Sequence, residues 1–219
     1  MAGMAWHPHE RAALADALQE AGPGVPTLCE GWRTEHLAAH VVLRERDMLT
    51  AAGIAVPALS ARTARVTLAR GDRAADPAGY ARLVSAVREG PPRWSPLSWA
   101  GDAAQHLELF VHAEDVRRRP DSPGPPRVLA AAEDEALWHR LVRAAPRLYR
   151  CWLDTSALVL QAPGRTARLG DPEAAGTVTV SGGVGELVLH AFGRTGAAQV
   201  TVDGPPADVE RMLADVRRV

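Results

Sequence analysis

Glu108 and His112 stand four residues apart in HLELFVHAEDVRR (106–118), where the periodicity predicts a helix over about 102–118 capped by Asp102. That spacing stacks the two side chains on one helix face. Leu107, Phe110, Val111 and Val116 make it a packed helix, so an ionisable pair beside its core stripe needs a partner. His40 offers one. It shares the stripe of a second predicted helix, from Thr34 as N-cap to about Ala52, with Leu37, Val41, Arg44 and Met48. Two imidazoles and a carboxylate brought inward by facing helices make a bundle metal site. The donor set suits Zn²⁺, and three protein ligands leave a coordination position open, as catalytic rather than structural sites do. The same residues also fit a Glu–His ion pair on a solvated face beside an unrelated core histidine, and spacing alone does not separate the two.

Other residues compete for attention. His36 and His40 are also spaced i,i+4, but His36 follows Glu35 at what reads as the exposed start of its helix. His106 and His112 point to different faces. Asp115 either orients the His112 imidazole from behind or pairs with Arg118 or Arg119. His7 and His9 flank Pro8 in a segment expected to be frayed and solvated. Cys29 sits in a loop with no legible Cys–His–Asn arrangement and reads as an inert thiol. With Cys151 it makes too few thiols for a disulfide framework or a four-thiolate zinc site, and two reduced thiols are the simpler reading than one pair. The segment SGGVGE (181–186) matches neither the dinucleotide fingerprint nor the P-loop and reads as a strand-to-helix turn. Arg117, Arg118 and Arg119 read as a solvated helix end that complements the helix dipole.

The elements that must hold these residues are mostly helical up to about residue 150. Helices are expected over 8–20, 34–52, 78–89, 102–118 and 128–147. Breakers separate them: AGPGVPTLCEGW (21–32), Pro57, Gly71 and Pro77, the Pro-rich EGPPRWSPLSW (89–99), and RPDSPGPP (119–126). Beyond Cys151 the pattern becomes mixed. TSALVLQA (155–162), GTVTVSG (176–182) and AAQVTVDG (197–204) read as strands, and 184–194 and 206–218 as helices. The expected class is α+β, a helical bundle over 1–150 followed by a small α/β domain over 151–219.

Composition excludes several classes of function. The 219 residues are 47% hydrophobic and 23% charged, with a net charge of −1, which disfavours a nucleic-acid or polybasic membrane binder. No apolar run approaches the ~18–20 residues that cross a bilayer. MAGMAWHPHERAA lacks the basic and apolar regions of a signal peptide, so a cytoplasmic protein is expected. All 25 basic residues are arginine, a bias expected of a very GC-rich bacterial genome.

Two segments carry a resemblance. PTLCEGWRTEHLAAHVV (26–42) and HLELFVHAEDVRR (106–118) resemble the metal-binding helices of the mycothiol-dependent maleylpyruvate isomerase-like proteins, relatives of the DinB-type four-helix bundles. VTVSGGVGELVLHAFGR (178–194) resembles their small C-terminal domain. The resemblance implies His40, Glu108 and His112 as ligands of a divalent metal, usually zinc, and mycothiol as co-substrate. That thiol belongs to high-GC actinobacteria, in keeping with the lysine-free composition. A metal-bound thiol ionises near neutral pH and attacks an electrophilic carbon, giving isomerisation if it later leaves and S-transfer if it stays. Arg44, one turn after His40, and Arg194, in the Phe–Gly–Arg closing the 184–194 helix, are candidate anchors for an anionic thiol or substrate. Each also has a plain structural role open to it, Arg194 as a helix-end cation. A non-enzymatic metal-binding or ligand-sequestering protein and a metal-dependent hydrolase remain the alternatives on the same bundle.

Overall fold

The computed structural model describes residues 5–55, 57–149, 156–171, 174 and 176–216; Cys151 lies outside them. The chain divides into two compact units, Met1–Pro125 and Pro126–Val219. The division falls in the breaker loop 119–126, ahead of the position near 150 read from the sequence. The helix Ala131–Leu148 explains the difference, because it packs on the helix Val184–Ala191 and on the strand Arg165–Gly170 of the second unit.

The first unit holds α1 (His7–Ala21), α2 (Thr34–Arg46), α3 (Met48–Ala55), α4 (Ser60–Asp72), α5 (Pro77–Glu89), the short α6 (Leu97–Ala100) and α7 (Asp102–Arg117). Helices α1, α2, α5 and α7 form a four-helix bundle whose core includes Leu14, Leu18, Leu37, Val41, Leu83, Val87, Leu109 and Val116. One buried guanidinium touches all four helices. Arg11 of α1 meets Glu45 of α2 at 2.5 Å, the Val87 carbonyl of α5 at 2.8 Å and Gln105 of α7 at 2.6 Å. A buried arginine is tolerable only with acceptors on most of its donors, so this contact set ties the helices to one mutual register.

Local chemistry departs from expectation in instructive places. Asp102 does not cap its own helix; Gly101 occupies that position. The Asp102 carboxylate accepts from the Trp6 and His7 backbone N–H groups and meets His7 Nδ1 at 2.7 Å, so it caps α1 and pins the segment expected to fray. Arg33, not Thr34, is the N-cap of α2, while the Thr34 hydroxyl donates to the Gly22 carbonyl at 2.6 Å. The helix expected over 34–52 breaks at Asp47, whose carboxylate accepts from the Leu49 and Thr50 N–H groups at the start of α3. Helix α4 was not expected. Its buried stripe is Thr63, Thr67 and Gly71, residues that carry no hydrophobic signal. A Cβ on Gly71 would lie 2.3 Å from the His36 ring and 2.9 Å from its Cα, so glycine is what lets α4 approach α2.

The second unit holds α8 (Ala131–Leu148), β1 (Ala157–Ala162), β2 (Arg165–Gly170), β3 (Thr177–Gly182), α9 (Val184–Ala191), β4 (Val200–Asp203) and α10 (Pro206–Val216). The sheet order is β2-β1-β3-β4, with β1 and β3 parallel and the outer pairs antiparallel. Leu158, Leu160, Val178 and Val180 form its buried face. Strand β2, unforeseen in the sequence, completes a hairpin through Pro163–Gly164, where Gly164 takes φ +73° as the turn demands. The molecule is therefore α+β, with a helical bundle preceding the sheet.

Candidate metal centre

Helix α2 contributes His40, and α7 contributes Glu108 and His112. Both imidazoles turn Nε2 toward one carboxylate oxygen: His112 lies 3.3 Å and His40 3.5 Å from Glu108 Oε1. One ligand atom from each of the three falls within 4.8 Å of the others. The trio singled out by spacing thus converges in space. The histidine side chains are 10% and 8% exposed and Glu108 25%, so the cluster is reached from the carboxylate side.

Asp115, one turn beyond His112 on α7, accepts from its Nδ1 at 2.9 Å with a side chain wholly buried. That contact fixes the ring and leaves Nε2 directed at Glu108, the carboxylate–histidine arrangement that supports metal ligands. Asp115 thus takes the first of the two roles open to it. Arg118 pairs with Glu114 at 2.6 Å and is buried rather than solvated, and Arg119 pairs with Asp121.

Two further groups were not recognised from the sequence as neighbours of the centre. Cys29 Sγ donates to Asp115 Oδ2 at 3.1 Å, and the Trp32 ring packs on His40 with centroids 5.1 Å apart. Both come from the loop 26–33. Its turn closes through Trp32 N–H to Cys29 O at 2.9 Å, with Gly31 at φ +76°, and the Leu28 N–H donates to the Asp115 carbonyl at 3.0 Å. The thiol is half-buried and engaged with a carboxylate, not packed away in apolar surroundings.

Charge is distributed unevenly over the cluster. Burial depresses the His40 pKa, against the pull of Glu108, and favours its neutral form. Burial also opposes charge on His112, but hydrogen bonds with Asp115, Cys29 and Glu108 outweigh it and hold this imidazole well above the usual histidine range. The Glu108 carboxyl is held well below its ordinary range: burial resists, and hydrogen bonds with His112 and His40 plus the Arg44 charge prevail. These shifts favour the neutral form of His40 and the charged forms of His112 and Glu108, and a divalent cation bound here would take the place of a proton on His112. The donor set fits such a cation: two borderline nitrogens and one hard oxygen, from two rigid helices, with His112 braced from behind. His40 Nδ1, by contrast, is buried without a hydrogen-bond partner among the described residues, and the rings of Trp32 and His112 pack on that imidazole.

Arg44 lies beside the cluster. Its Nε is 3.7 Å from Glu108 Oε1, and its Nη2 donates to the Ala104 carbonyl at 2.6 Å. Arg194 belongs to the second unit, just past α9, where its Nη1 donates to the Phe192 carbonyl at 2.5 Å, a contact in keeping with the helix-end role. His36 and His106 stay out of the centre. His36 is buried, not exposed as expected: it accepts from the Arg33 N–H and meets Asp72 at 3.0 Å. His106 is fully buried on α7.

No protein-family model matches the chain, and no curated protein sequence matches it. Solved structures do. A crystal structure of the mycothiol-dependent maleylpyruvate isomerase aligns over 90% of this chain and 90% of that one, with a TM-score of 0.57 and 21% identity. A point mutant of that enzyme aligns over the same shares with a TM-score of 0.56 and 20% identity. From helical bundle to C-terminal sheet, the chain has the fold of the mycothiol-dependent maleylpyruvate isomerase.

Proposed function

We propose that His40, Glu108 and His112 hold a divalent cation, with zinc the best match to the donors, and that the protein is an enzyme using a small thiol, mycothiol, against an electrophilic substrate. The observation that carries this reading is the convergence of both Nε2 atoms on Glu108, with Asp115 behind His112. The fold likeness to an enzyme named for mycothiol supports the choice of thiol. A cation held by these three residues would supply Lewis acidity, letting a thiol ionise near neutral pH.

The chain's own residues do the rest. Asp115 keeps the His112 ring oriented with its Nε2 directed at the cluster, and Glu108 offsets positive charge. The Trp32 ring packs against His40, tilted to it, and helps position that imidazole. Arg44 steadies Glu108 from the side. No protein nucleophile is required, because the attacking sulfur arrives with the co-substrate. Return of the thiol after rearrangement gives isomerisation, and its retention gives S-transfer.

Elemental analysis tests the ligand set. The purified protein is expected to carry about one divalent ion per chain, lost in His40→Ala, Glu108→Ala and His112→Ala and kept in His36→Ala and His106→Ala. Full metal content in the triple ligand variant overturns the assignment.

A further inference from the structure

Next to the candidate centre lies a cavity of about 350 Å³, within the ~300–1,000 Å³ of small-molecule sites. Arg44, Glu45, Met48 and Ala51 from α2 and α3 line it on one side, and Pro96 and Leu97 on the other. Its walls are chiefly apolar and carry two ionic groups. Glu45 is already engaged, its two oxygens meeting Arg11 at 2.5 and 3.3 Å. Arg44 is not fully engaged. Its Nε faces Glu108 and its Nη2 the Ala104 carbonyl, but Nη1 is buried without a partner. A buried guanidinium nitrogen lacking an acceptor costs free energy that an incoming acceptor recovers. The same arginine touches the candidate metal carboxylate and lines the apolar pocket, and its guanidinium must turn to present Nη1, which has no accessible surface, to the cavity. The segments that build the pocket leave further apolar surface exposed, at Met48, Leu49, Trp94 and Trp99.

We infer that this cavity is the subsite for the electrophile, and that it selects a monocarboxylate with an unbranched apolar arm: the carboxylate on the Arg44 guanidinium, turned so that Nη1 meets it, the arm between Ala51 and Leu97. The chemistry sets the class. One unsatisfied charged donor at the end of an apolar cavity matches one anionic group followed by hydrocarbon, and a compact dianion would leave its second charge against Met48 and Leu97 with no counter-ion. The inference rests on the thiol-enzyme reading for calling the ligand an electrophile; the cavity and its preference stand on geometry alone.

The test uses the full-length metal-loaded protein and unbranched carboxylates from acetate to octanoate, with 1-alkanols as uncharged controls, followed by titration calorimetry. Affinity for the acids is expected to rise about fourfold per added methylene until the cavity is full. Arg44→Met is expected to weaken the acids by about tenfold or more and leave the alkanols unchanged. Ala51→Trp, which fills the cavity, is expected to abolish the chain-length increment; Leu97→Ser, a milder change on the opposite wall, is expected to reduce it. Affinity independent of chain length, increments that survive both wall variants, or acid binding unaffected in Arg44→Met each overturn the inference. A cobalt–thiolate absorption band, read on the same preparations, separates the two proposals. If the band is present and the chain-length effect absent, the subsite fails alone; if the chain-length effect is present and the band absent, the thiol reading fails and the carboxylate pocket stands.

Discussion

At the scale of single residues, the weight of the centre falls on Asp115 as much as on the three candidate ligands. Its carboxylate is fully buried and serves His112 Nδ1 and Cys29 Sγ together. Asp115→Asn removes the charge that holds the ring and is expected to lower metal affinity by about 10- to 100-fold, the usual cost of losing such a partner. Cys29→Ser retains a donor to the same oxygen and is expected to change affinity little. Competition with a chelator reads both, and unaltered affinity in Asp115→Asn contradicts the bracing role. The convergence of His40, Glu108 and His112 was legible from the sequence because an i,i+4 Glu–His pair on a packed helix, and a histidine on the stripe of another, are placed to meet between facing helices. Cys29 and Trp32 were not, because their proximity arises from a loop folding back to α7 through Leu28 and Asp115, which no local spacing encodes. Asp115 stood between: its spacing allowed the contact with His112, and only three-dimensional structure shows that contact made.

At the scale of elements, the helices that carry a strong apolar stripe were readable, and those held by small or polar contacts were not. Helix α5 begins as its residues dictate, with Asp76 accepting from two backbone N–H groups and Pro77 at the first helical position. Helix α4 packs through threonines and a glycine, and β2 is an edge strand bearing Arg165, Thr166 and Arg168, so neither advertises burial. The α4–α2 contact yields a prediction whose sign is informative. Alanine normally stabilises a helix over glycine by about 1 kcal/mol. At position 71 the new Cβ meets the backbone of His36 as well as its ring, and rotation of the ring does not relieve that. Gly71→Ala is therefore expected to destabilise the protein by about 1–3 kcal/mol in urea unfolding; a gain in stability would refute close α4–α2 packing as the reason for glycine.

At the scale of the whole molecule, acid sensitivity has a source within the second unit. His190, in α9, is fully buried, its Nδ1 is 2.9 Å from the Tyr149 hydroxyl and its Nε2 has no partner. Burial lowers its pKa from 6.5 to about 4. The unfolded chain therefore binds the proton first as pH falls: the stability tied to neutral His190 is intact above about pH 6.5 and is lost progressively toward pH 4, by about 3 kcal/mol over that window. His190→Leu is expected to flatten this part of the stability–pH profile relative to the wild type, and identical slopes would exclude His190 as the cause. The central claim, however, concerns chemistry at the bundle centre: cation and thiol meet where His40, Glu108 and His112 converge. The most direct measurement is absorption spectroscopy of the cobalt-substituted protein titrated with mycothiol below the solution pKa of the thiol. The account predicts a cobalt–thiolate charge-transfer band that saturates at one thiol per metal and is absent from His112→Ala. A cobalt spectrum unchanged by saturating mycothiol would contradict it.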